Sequence, residues 1–146
     1  MSTSSQAATA LVMKFFAALD TREHRVAANL MAPDGVWWRQ GRQLTGPAAV
    51  LAALEQRPAN RHTCHVVTNV QFAHVDDQRA ELSYYLTAYE SLVDDAPEGA
   101  ASADGATARG AAPVRLAGIL LSEDQLTVID GQWRIHRKSS RRMLPP

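Results

Sequence analysis

The stretch NRHTCHVVTNVQF, Asn60–Phe72, marks where the spacing of apolar residues changes, and that change decides the fold. Upstream of it, from Ser5 to Met31, apolar residues recur at helical intervals: Leu11, Phe15 and Ala18 share a face, and Val26 and Leu30 continue the pattern. A break near Asp20-Thr21-Arg22 divides this region into two predicted helices. MAPDG should end the second, because Pro33 is unfavourable inside a helix and Gly35 permits a tight turn. VWWRQGRQLTG reads as a short hairpin turning at Gln40-Gly41. Pro47 then opens a third helix, about Ala48 to Gln56, which Pro58 stops. From the quoted stretch onward the chain is β, with strands predicted at His65–Phe72, Arg79–Leu92, Val114–Val128 and Gln132–Ser140, the last two joined at Asp130-Gly131. Helices first and antiparallel strands afterwards predict an α+β domain with helices on one face of a curved sheet. The other face carries Ile119, Leu121 and one tryptophan, an apolar surface that a second copy of the chain would cover, so a homodimer is expected.

The 146 residues, 46% hydrophobic and 21% charged, suit one domain, 1–146, with a real core. Fifteen basic residues balance fifteen acidic ones, so no overall field points to nucleic acid or a membrane surface, and a neutral substrate is the simpler expectation. One cysteine cannot form an internal disulfide, and MSTSSQAATA lacks the pattern of a secretory leader, which suggests a cytoplasmic protein. No apolar run approaches the ~20 residues of a membrane-spanning helix. Abundant alanine, and arginine in place of lysine, point to a GC-rich bacterial genome. DDAPEGAASADGATARGAAP, Asp94–Pro113, has almost no large apolar residue with which to anchor itself; it is expected to be a flexible insert between strands, either a hairpin extension or a lid.

FFAALDTREHRVAANLMAPDGVWW, GRQLTGPAAVLAAL, RHTCHVVTNVQF and DGQWRIHRKSSR, in this element order, resemble the SnoaL-like domains of the nuclear transport factor 2-like superfamily. The resemblance covers most of the chain outside 94–113. It implies a cone-shaped, curved antiparallel sheet with the N-terminal helices on its concave face, an apolar pocket between them and, usually, a homodimer. The superfamily holds isomerases, dehydratases, polyketide cyclases and non-catalytic subunits, so fold alone does not settle activity. Ketosteroid isomerase's oxyanion tyrosine would fall at Phe15 and its base at about Trp38, which disfavours that chemistry. Scytalone dehydratase-like lyases fit better: their aspartate falls on Asp20 and the histidine it partners falls on His65. Leu19 stands where those lyases have a tyrosine, their second histidine has no counterpart near Tyr89-Glu90, and their water-activating tyrosine corresponds at best to Trp37 or Trp38.

A carboxylate bonded to one imidazole nitrogen fixes the tautomer and makes the other a general base. Asp20 and His65 suit this role; equally, Asp20 suits capping a helix that starts at Thr21, with His65 as a core residue. His62 and His65 lie three apart on a strand, so their rings diverge and no metal site is expected. Cys64 alternates away from His65 and reads as a buried or half-buried thiol. In GQWRIHRKSS, alternation groups Trp133, Ile135 and Arg137 on the core face, so Arg137 is expected to reach the pocket, there to stabilise substrate negative charge or to pair with Asp124. The opposite basic face, with Arg141 and Arg142, reads as solvated surface. Phe15, Trp37, Trp38, Tyr84 and Tyr89 supply rings for a pocket, and Ser122 and Asp124 supply polar groups. No nucleotide-binding glycine motif is present, and no cofactor is expected. The resulting expectation is a cofactor-independent lyase or isomerase acting on a small cyclic apolar molecule through Asp20, His65 and Arg137. The alternative is a non-catalytic binding or assembly module, like the β subunits of ring-hydroxylating dioxygenases.

Overall fold

The computed structural model describes residues 2–93 and 112–144. Ser2 starts helix α1 (Thr3–Asp20) by accepting the Ser5 amide at 3.1 Å. The helix buries Ala8, Leu11, Val12, Phe15, Phe16 and Leu19, the face its spacing predicts. It ends in a Schellman motif: Arg22 takes a left-handed φ of 60°, its amide returns to Leu19 O, and the Glu23 amide returns to Ala18 O at 2.8 Å. The Arg22 side chain, which a glycine would lack, donates to the carbonyls of Arg57, Pro58 and Arg61 and ties the helix end to the start of the sheet.

After α2 (His24–Asn29) come β1 (Met31–Arg39), β2 (Arg42–Thr45), α3 (Gly46–Glu55), β3 (Arg61–Val75), β4 (Arg79–Leu92), β5 (Arg115–Ile129) and β6 (Gln132–Arg142). The six strands form one curved, unclosed sheet in the order β2-β1-β6-β5-β4-β3. Neighbours are antiparallel except β1 and β6, which run parallel. Packing of the three helices against it encloses Phe15, Met31, Leu54, Tyr84, Leu126 and Ile135, each under 3% exposed. The predicted α+β class with helices on a curved sheet is the fold observed. Asp94–Pro113 lies outside the described residues apart from its last two positions.

Three local readings need correction. MAPDG is not a turn but the start of β1. Pro33 is accommodated because the β1·β6 ladder is interrupted between Met31 and Val36, where no amide is required. Gly35 is there for close approach: a Cβ on it would overlap the backbone carbonyl oxygen of Ile135. The third strand extends beyond His65–Phe72 at both ends, and Asn69, at φ 56°, forms a bulge that keeps Val67 and Val70 on the same side. Cys64 is exposed rather than buried, since it faces away from the helices.

Candidate functional site

Asp20 is the last residue of α1, and its carboxylate turns across to β3. The His65 ring donates from Nδ1 to Asp20 Oδ1 at 2.6 Å, the His65 amide donates to Oδ2 at 2.8 Å, and the Thr63 hydroxyl donates to Oδ1 at 2.8 Å. The helix-capping alternative is therefore not what the fold adopts: Glu23 occupies the N-cap of α2, and Asp20 holds His65. An anion at the negative end of a helix dipole needs such donors. Burial alone would raise the Asp20 carboxyl, but hydrogen bonds from the His65 ring, the His65 amide and Thr63 outweigh it and hold the carboxyl below its ordinary 3.8.

Arg57, 7% exposed, braces this arrangement from behind. It donates to Leu19 O and to Thr63 Oγ1, both at 2.9 Å, so Thr63 passes the support on to Asp20. With Nδ1 committed, Nε2 is the nitrogen left for chemistry, and no hydrogen bond engages it among the described residues. His65 lines a cavity of about 380 Å³ between helices and sheet, walled by Phe16, Leu19, Trp37, Tyr84, Leu86 and Leu120.

On the same wall sits a buried polar cluster. Lys138 Nζ lies 2.6 Å from Asp124 Oδ2 and donates to the Tyr84 hydroxyl at 2.8 Å, while that hydroxyl donates to Asp124 Oδ2 at 3.0 Å. Lys138 and Asp124 are directly opposed across β5 and β6, and Tyr84 reaches them diagonally from β4. Burial pushes the Asp124 carboxyl up and the Lys138 ammonium down, and their attraction offsets this in part. Phe16 joins the two groups: its ring centroid is 5.1 Å from that of His65 and 4.8 Å from Lys138 Nζ. A potential base and a cation therefore share one cavity.

A family model for the SnoaL-like domain matches residues 2–139. The chain belongs to the SnoaL-like family. Solved structures similar to it include Aln2 from a Streptomyces species, at 20% identity over 94% of this chain and 89% of that one, TM-score 0.72. A scytalone dehydratase-type protein from Novosphingobium aromaticivorans is 19% identical over 96% and 84%, TM-score 0.72. A type 2 hexachlorocyclohexane dehydrochlorinase is 17% identical over 97% and 86%, TM-score 0.74. At these identities the likeness shows the fold. No curated protein sequence matches the chain significantly.

The other residues singled out from the sequence divide between the two faces of this SnoaL-like sheet. Tyr84 and Ser122 line the cavity, Trp37 walls it at 8% exposure, and Trp38, on the strand's other side, reaches only its rim. Phe15 is fully buried behind the wall, edge-on to Trp37 and beneath Lys138. Tyr89 is not a pocket residue: it shares the outer face with Tyr85. Arg137 is likewise misplaced by simple alternation. The register shifts between Gln125↔Arg137 and Leu126↔Ile135, so His136 is an extra, bulged residue, and Ile135 and Lys138 both face inward. Arg137 instead lines a separate depression with Glu123, Gln125 and Ser139. Arg141 and Arg142, read as plain surface, border the main cavity. Among the described residues no cluster of metal-ligating side chains occurs, and no helix is long and apolar enough to cross a membrane.

Proposed function

We propose that the protein is a cofactor-independent lyase or isomerase that moves a proton on a cyclic substrate through His65. The observation that carries this is the Asp20–His65 pair, closed at Nδ1 and with Nε2 unbonded among the described residues on a side chain that lines the cavity. His65 Nε2 takes a proton from carbon, and the C–H electron pair moves into an adjoining double bond or enolate. Asp20 stabilises the imidazolium that forms. The proton then returns to a departing hydroxyl, for net loss of water, or to another carbon, for isomerisation. Lys138 takes the role expected of Arg137: its ammonium, held by Asp124 and Tyr84, belongs to the cavity lining and supplies positive charge toward negative charge developing on the substrate. The SnoaL-like family and structural neighbours of dehydratase and dehydrochlorinase type support this reading.

A binding module is the second reading. It is favoured by Leu19, Trp37 and Trp38 standing where a dehydratase would present hydroxyls, and by Tyr84 being engaged with Asp124. Enolisation of a bicyclic ketone separates the two. Wild-type protein should accelerate exchange of the α-protons of 2-tetralone in D₂O, followed by proton NMR, and His65→Gln should slow it by about 10²- to 10⁴-fold. Asp20→Asn should also shift the His65 ring ¹⁵N resonances away from the Nδ1–H tautomer. Exchange indifferent to His65→Gln would leave the binding reading standing.

A further inference from the structure

The chain is electrically balanced, but its cavity is not. Fifteen acidic residues match fifteen basic ones overall, yet no aspartate or glutamate is among the described residues that line the cavity, whereas Arg39, Arg57, Arg61, Lys138, Arg141 and Arg142 all do. The nearby acids are already committed. Asp20 is closed off by His65 and Thr63, Asp124 serves Lys138, and Glu90 is shared between Arg61, at 2.8 Å, and Arg115. Arg57 spends its donors on Leu19 O and Thr63 Oγ1, neither of which neutralises it.

Arg39 is the most exposed to this imbalance. It is half-buried, its guanidinium lies 5.3 Å from the centroid of the Trp37 ring, and among the described residues no carboxylate lies within ion-pair distance. The guanidinium groups also act on one another. Burial, then the charges of Arg61 and Arg42, push Arg39 down; burial, then Arg61, Arg22 and Arg39, push Arg57 down to about 10. Like charges gathered around a partly enclosed space, of which Arg39, Arg57, Arg141 and Arg142 are in no ion pair among the described residues, raise the free energy of the empty site and favour an anion that enters it.

We propose that the cavity binds a planar cyclic carboxylate, its ring between Phe16, Trp37 and Leu120 and its carboxylate against Arg39 at the arginine-rimmed mouth. A guanidinium fork matches a carboxylate edge to edge, and stacking on Trp37 holds Arg39 in place to receive it. A volume of about 380 Å³ suits a ligand of two or three fused rings. The proposal rests on the cavity being the substrate site of the proposed reaction and narrows the expectation of a neutral substrate to an anionic one.

Isothermal titration of the full chain with 2-naphthoate and with 2-naphthamide, which has the same ring without the charge, tests it. At low salt the carboxylate should bind at least about tenfold more tightly, the size of one charge-assisted hydrogen-bonded pair. The preference should shrink as salt is raised. Arg39→Gln should reduce it to below about threefold with little change for the amide, and Arg39→Lys should retain part of it. Equal affinity for the two ligands, or a preference that survives Arg39→Gln, overturns the proposal. The titration involves no turnover, so its failure leaves the proton-transfer reading intact, and failure of the exchange assay leaves anion binding intact.

Discussion

Replacing Lys138 by methionine isolates the buried Asp124 carboxylate, and the structure sets the size of the effect. Asp124 is fully buried and Lys138 is 3% exposed. Without the ammonium at 2.6 Å, Oδ2 keeps only the Tyr84 hydroxyl at 3.0 Å, and Oδ1 has no partner among the described residues. Left charged, such a carboxylate costs about 3–5 kcal/mol. The escape is protonation, which from the ordinary value of 3.8 costs about 4 kcal/mol at pH 7 and about 2 kcal/mol at pH 5. The variant should therefore lose about 3–4 kcal/mol at pH 7 relative to wild type, and roughly half that at pH 5. The sign follows from linkage. Without the ammonium the folded carboxyl is raised further than in wild type and holds a proton where wild type has released it, so the variant's deficit grows as pH rises between the two folded values. Urea unfolding followed by far-ultraviolet circular dichroism at both pH values measures it. Replacing the whole cluster, Lys138→Met with Asp124→Leu and Tyr84→Phe, should recover stability to within about 1–2 kcal/mol of wild type, because no charge is then stranded. A loss below about 1 kcal/mol at pH 7, equal losses at the two pH values, or a triple variant no better than the single one would refute the reasoning.

Gly35→Ala should destabilise the protein by more than about 2 kcal/mol in the same assay, since its methyl group would force β1 away from the Ile135 carbonyl; a near-neutral result would mean that the two strands separate at little cost. We also propose that the chain is a homodimer. The outer face of the sheet sets Val66, Tyr85 and Tyr89, each more than a third exposed, close to Ile119 and Leu121, and a second copy would cover them. Light scattering at micromolar concentration should return twice the chain mass, and a monomer mass would count against it.

Much of the architecture was legible in the sequence because it depends on short-range chemistry. Helical spacing from Ser5 as far as Asn29, Pro47 at the head of α3 and the Asp130-Gly131 turn, where both residues take positive φ, specify elements locally. The Asp20–His65 contact is different: it joins positions 45 residues apart, and the local pattern alone favours a helix cap at Asp20. Family resemblance suggested the pair; the Arg22 and Arg57 tethers at the end of α1 form it. The cation of the site depended wholly on tertiary structure. Counting outward from the Asp130-Gly131 turn in even register sets Asp124 opposite Arg137, the pairing that alternation suggests. One bulged residue, His136, advances the register and delivers Lys138 instead. A side-chain period of two makes any single-residue insertion exchange the two faces of a strand beyond it. The bulge lies in a strand that pairs with β1 on one side and β5 on the other, and no local pattern encodes those neighbours. The positive cavity is a long-range result for the same reason: composition fixes a net charge of zero, but only the fold gathers arginines from β1, β3, β6 and the α3–β3 connection around one space and leaves the acids outside it.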